Sequence, residues 1–218
     1  MVVEFSLAEA DEYIWESFAL RSGVSDENKL ARLEKLAGRY RQTAAAGAVL
    51  AASVMEVWGE FDGGRLRIGG ADDLSFALNL AAADEAHISR IYCYALTAGD
   101  FRTDVDPLTD AFVDLWGNAY CDAAHRLLRE KLAAASGLLV SPPFGPGFFG
   151  TTMDALPQVL KLARAEEAGI RLAGSTLLPL KSCAGFFFAS DRPLILPQRD
   201  CASCIGSRRG CSYCRPAV

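Results

Sequence analysis

The sequence predicts an α+β fold, and two observations carry that expectation. Stretches with helical periodicity alternate with strand-like runs along the chain. In addition, Asp62-Gly63-Gly64 is a hairpin signal between two such runs, which calls for antiparallel pairing. Together they imply helices packed on an antiparallel or mixed sheet. The composition changes only after Pro197, so residues 1–196 read as one domain and residues 197–218 as a Cys-, Arg- and Gly-rich tail.

The elements follow in order. Residues 8–20 place Tyr13, Ile14, Trp15 and Phe18 on one side of a helix. Ser25 or Asp26 caps a second helix, which runs to about Ala45 with Leu30, Leu33 and Leu36 at helical spacing. Ala48 to Glu60 turns strand-like toward its end, and Arg65–Ile68 alternates polar and apolar beyond the hairpin. A helix is expected over about 73–83, then a buried strand from Ile88 to Thr97 ended by Ala98-Gly99-Asp100. Pro107 suits a first helical turn, and the longest helix runs from there to Ser136. Leu138–Val140 is a short strand, and a helix opened by Thr152 or Asp154 extends to Gly169.

Composition narrows the function classes. The 218 residues are 51% hydrophobic and 22% charged, enough for a sizeable core and unlike a disordered chain. A net charge of −5 argues against nucleic acid or an anionic membrane surface as partner. The most apolar run, Ala44 to Met55, is too short to span a bilayer, and Met1-Val-Val-Glu-Phe5 lacks the basic start of a signal peptide. A cytoplasmic location is expected.

Four of the seven cysteines fall in Cys201-Ala-Ser-Cys204-Ile-Gly-Ser-Arg-Arg-Gly-Cys211-Ser-Tyr-Cys214. Two Cys-x-x-Cys pairs can set four thiolates around a tetrahedral centre, so Cys201, Cys204, Cys211 and Cys214 are the expected metal ligands. Zinc and an iron–sulfur cluster both satisfy the pattern. Cys121 and His125 share a helix face but lack a second pair, and read as core packing. His87, Cys93 and Cys183 read as structural. Asp100, Asp104, Asp106 and Asp110 lack the glycine and terminal glutamate of a calcium loop and read as a solvated helix entrance. No catalytic residue is assigned, because no Ser-His-Asp order, P-loop or dinucleotide fingerprint is present.

The remaining signal is Ser141-Pro-Pro-Phe-Gly-Pro-Gly-Phe-Phe-Gly150, a rigid loop whose glycines admit close approach to the main chain. On composition alone it is a binding loop or a structural one. A helix ending in Ala168-Gly169-Ile170 follows, then Ser175-Thr-Leu-Leu-Pro-Leu-Lys-Ser182 and the small-Gly-aromatic run Ala184-Gly-Phe186. This order resembles the activation domain of cobalamin-dependent methionine synthase, and in size the short stand-alone proteins related to it. The resemblance is best over 138–190 and collinear from about 70, with Tyr94-Ala-Leu-Thr-Ala-Gly99 on an apolar strand of the relatives.

The resemblance implies helices around a twisted, largely antiparallel sheet. It further implies an accessory protein of a corrinoid methyltransferase system, which binds S-adenosylmethionine or a related ligand and assists reactivation of the corrinoid. In the family the binding loop reads Arg-x-x-x-Gly-Tyr. Aligned on Pro146-Gly147, this makes Gly145, Pro146, Gly147 and Phe148 the ligand-binding residues and puts Pro143 at the arginine position. Arg164, Arg171 and Lys181 are candidate substitutes. The chain lacks the Asp-x-His-x-x-Gly cobalt-ligating motif, so cobalamin is expected on a partner, a corrinoid protein or methyltransferase. Two other classes fit the residues: a non-enzymatic binding module with a structural zinc tail, and a small iron–sulfur redox protein.

Overall fold

Local signals fix the helix ends in a computed structural model that describes residues 1–62, 65–68, 74–77, 82–103, 105–147 and 152–194. After strand β1 (Val2–Glu4), helix α1 (Leu7–Ser22) opens on a capping box between Ser6 and Glu9 and closes on left-handed Gly23. Helix α2 (Glu27–Ala37) is capped by Asp26, whose carboxylate accepts from the Lys29 N–H at 2.8 Å. The helix expected to reach Ala45 is interrupted. A 3₁₀ turn at Gly38–Tyr40 separates α2 from α3 (Arg41–Ala46), and glycine, the weakest ordinary helix former, begins the break.

The single run expected to turn strand-like toward Glu60 is two strands, β2 (Ala48–Val57) and β3 (Gly59–Asp62), and β4 (Arg65–Ile68) pairs with β3 across the hairpin signal as expected. Residues 74–77, expected within a helix, instead form strand β5 (Leu74–Ala77). Its partner explains the difference: β4 offers a free edge, and β5 pairs with it from Ile68↔Leu74 to Arg65↔Ala77. Pairing overrides the weak helical preference of a four-residue stretch. A short helix α4 (Ala82–Glu85) leads into β6 (Ile88–Gly99).

Asp106 caps the long helix α5 (Pro107–Ser136), accepting from the Leu108 and Thr109 N–H groups at 2.9 and 3.0 Å. Beyond β7 (Leu139–Val140), helix α6 (Leu156–Ala163) stops earlier than its expected end at Gly169. Arg164 adopts φ +52°, and Ala165–Ala168 continue as a 3₁₀ turn. A hairpin of β8 (Arg171–Ala173) and β9 (Thr176–Leu178) precedes β10 (Ser182–Ser190). No helix among the described residues is long and apolar enough to cross a membrane.

The main sheet has the order β1-β2-β6-β10-β7, and all its pairings are antiparallel. The α+β expectation therefore holds in its antiparallel form. β6 and β10 lie inside the sheet and alternate between two cores. Tyr92, Tyr94, Leu96 and Phe187 face α1 and α5, where Phe18 and Trp116 pack with ring centroids 4.3 Å apart. Ile91, Cys93, Ala95, Phe186 and Phe188 face α6, Phe144 and the β4 residues Leu66 and Ile68. Burial on both faces is why these strands read as continuous apolar runs. Each buried aromatic or aliphatic side chain contributes about 1.5–3 kcal/mol of burial free energy.

Candidate functional site

The Pro-Gly loop begins as an edge of the main sheet. β7 pairs with the end of β10, and the chain then continues beside β10 without forming a regular strand. Ser141 substitutes for part of the ladder: its N–H donates to Phe188 O at 2.8 Å, and its hydroxyl accepts from the Phe188 N–H at 3.0 Å. Pro142 and Pro143 have no N–H, so an edge position suits them. Phe144 then bridges to Phe186 in both directions.

At Gly145 the group that approaches the main chain is β10 itself. A Cβ there would lie 2.7 Å from Ala184 O and 2.9 Å from the Gly185 Cα. Gly145 and Pro146 are buried, and Gly147, at φ +85°, is exposed. Phe148 lies outside the described residues, as do Gly150 and the tail cysteines Cys201, Cys204, Cys211 and Cys214.

An open cleft of about 730 Å³ lies where the loop starts, between α1, α5 and the segment after β10. Ser141, Pro142, Ser190 and Arg192 form one wall, and Glu16, Arg126, Arg129 and Glu130 form the other. Gly145, Pro146 and Gly147 do not line it. Arg129 donates from Nε to Val140 O at 2.9 Å, which fixes its guanidinium beside the loop entrance. Arg126 pairs with Glu16 at 2.6 Å, and Arg192 with the buried Asp84 at 3.0 Å. The basic residues suggested as substitutes at Pro143 stand elsewhere. Arg164 pairs with Glu167, Lys181 donates to Asp114 and Asn118, and Arg171 is exposed on β8.

A cluster of metal-ligating side chains joins residues that the sequence assigned to packing. Cys121 and His125 on α5 meet Cys183 on β10. The Cys121 and Cys183 sulfurs are 3.8 Å apart, and His125 Nε2 is 3.2 Å from Cys183 Sγ and 3.0 Å from the Tyr94 hydroxyl. Burial lowers the His125 pKa to about 4, so the ring is neutral at pH 7. The hydrogen bond with Cys121, with burial, raises the Cys183 thiol well above its ordinary value. The pairing with Cys183 had no local signal, because 62 residues separate the two cysteines.

The remaining candidates behave as read. Cys93 is buried, its thiol donating to Val159 O at 3.5 Å, and burial raises its pKa. His87 pairs with Asp191 at 2.9 Å. Of the acidic run, Asp106 caps α5, Asp110 accepts from the Thr103 N–H at 3.2 Å, and Asp100 pairs with Arg102. Asp104 lies outside the described residues.

No protein family matches the chain, and no curated protein does. Among solved structures, it is similar to the crystal structure of the MetH reactivation domain bound to AdoHcy. The TM-score is 0.68 at 15% identity, over 88% of this chain and 79% of that one. At that identity the likeness is one of architecture: the chain has the fold of the MetH reactivation domain.

Proposed function

We propose that the protein binds S-adenosylmethionine or a related sulfonium or thioether nucleoside and serves as an accessory protein to a corrinoid methyltransferase. The observation that carries this reading is the shared fold with a domain solved with AdoHcy. The cleft supports it. Arg129, held at Nε by Val140 O beside the start of the Pro-Gly loop, presents a guanidinium that suits an amino-acid carboxylate, while Arg126 and Arg192 are paired with Glu16 and Asp84. Arg129 is the proposed partner of that carboxylate, in the role for which Pro143 has no side chain. Gly147, exposed beyond the loop start, and Phe148 are the proposed ligand contacts from the loop, while Gly145 and Pro146, both buried, position them.

When bound, S-adenosylmethionine supplies a sulfonium methyl group, and the reduced corrinoid that takes it up is held by a partner protein. The reaction needs orientation and exclusion of water more than acid–base help. A site without catalytic side chains is consistent with it. Arg129 would anchor one end of the ligand, and the loop would shield the other. The tail cysteines Cys201, Cys204, Cys211 and Cys214 would hold zinc or an iron–sulfur cluster, and the protein would act in the cytoplasm.

Calorimetric titration of S-adenosylmethionine and of AdoHcy into the full chain tests the reading. Saturable binding is expected, weakened at least about tenfold by Arg129→Gln, the size of one charge-assisted hydrogen bond. Phe148→Ala should weaken it further. Absence of binding at millimolar ligand would favour a second reading, a binding module that keeps the fold without the ligand. Pro143 at the arginine position is the observation behind that alternative.

A further inference from the structure

We propose that Cys121, His125 and Cys183 form a second metal site, distinct from the cysteine tail, that takes a thiophilic divalent ion of the zinc type. The donor atoms of these three residues all lie within 4.8 Å of one another. Tetrahedral zinc, with bonds of about 2.3 Å to sulfur and about 2.0–2.1 Å to nitrogen, has edges of about 3.8 Å between sulfurs and about 3.6 Å between sulfur and nitrogen. The observed separations are 3.8 Å and 3.2 Å. The sulfur pair already has the spacing of ligands, and the imidazole needs to withdraw by a few tenths of an ångström.

Two rigid elements supply the set. The i, i+4 spacing puts Cys121 and His125 on one face of α5, and Cys183 meets them from the α5-facing side of β10. All three residues are half-buried, so the site is reachable while largely dry. Charge favours it. Two thiolates and a divalent cation sum to zero, so the filled site places no net charge in the interior. The reaction balances as two thiols plus the cation giving two metal–thiolate bonds and two released protons. Nε2 of the neutral imidazole provides the third bond by giving up its contacts with Tyr94 and Cys183. The Tyr94 hydroxyl, freed from the ring, can hydrogen-bond a water in the fourth position.

The experiment must silence the tail. In full-length protein carrying Cys201→Ser, Cys204→Ser, Cys211→Ser and Cys214→Ser, reduced and stripped with chelator, cobalt(II) is the probe. One equivalent should bind, with thiolate-to-cobalt charge-transfer and tetrahedral d–d absorption and release of two protons. Zinc should displace it. X-ray absorption on the zinc form should show two sulfur neighbours at about 2.3 Å. Adding Cys183→Ser, close in size to cysteine, should abolish stoichiometric binding. Circular dichroism of each variant separates loss of the site from loss of the fold. A folded quadruple variant that takes up no cobalt at micromolar concentration would overturn the proposal. Binding that survives Cys183→Ser, or a reduced protein that forms a Cys121–Cys183 disulfide on exposure to air without ever taking up metal, would do so equally.

Discussion

His125 carries the clearest solvent-linked energy at the scale of single residues. Its folded pKa of about 4 lies below the ordinary value of 6.5. Between those two values the unfolded chain takes up a proton that the folded chain refuses, so stability falls as pH falls. The contribution is complete above pH 6.5 and lost on the way to pH 4, and its full size is about 3 kcal/mol. In metal-free protein, urea unfolding at pH 7.5 and pH 5 should therefore show a larger loss for the native chain than for His125→Gln. Equal losses in the two proteins would mean that the ring is hydrated and titrates normally. The sequence showed that Cys121 and His125 share a helix face, because that relation is local. It could not show Cys183 opposite them, which depends on how β10 docks.

Among the elements, the contact between the Pro-Gly loop and β10 is the most constrained. A Cβ on Gly185 would overlap the Phe144 carbonyl oxygen, and one on Gly145 would press on the Ala184 carbonyl. Two glycines face each other so that the Phe144–Phe186 bridge can close. Gly185→Ala should cost about 2–4 kcal/mol in a denaturation experiment and loosen the loop, read as faster hydrogen exchange at the Phe144 and Phe186 amides. An alanine variant with native stability would show that the loop can move off β10 freely. The glycines of this loop were visible in the sequence, but their partner was not. The same limit explains the other differences. Residues 74–77 pair because β4 presents an edge, and α6 ends because Arg164 turns left-handed, five residues before the glycine that punctuates the sequence.

Across the whole molecule, the α+β class and the positions of α1, α5 and β6 were legible because each rests on periodicity, caps or continuous apolar runs, and β10 falls on the small-Gly-aromatic run that carries the resemblance. The largely antiparallel pairing of the sheet followed from the hairpin signal and the family resemblance and is the pairing found, while the strand order had no signal in the sequence. The candidate ligand site was legible only in part: the sequence pointed to the loop, while the arginine-lined cleft gathers residues from α5 and from beyond β10. Arg129, inconspicuous on an amphipathic helix, had no signal of its own.

The central ladder has one further consequence, for the route by which the chain reaches this fold. β6 and β10 pair across 85 residues, from Thr97 to Ser182. Contacts of that range slow the search, since a large loop must close before the ladder offers any return. In pulse-labelled refolding, amides of α1, α5 and the β2–β6 pairing should become protected before those of β10; simultaneous protection would point to a single nucleus that already contains β10. Until β10 arrives, β6 presents an open hydrogen-bonding edge next to Ile91, Cys93 and Ala95, which makes that interval the time when two half-folded chains are most prone to pair with each other.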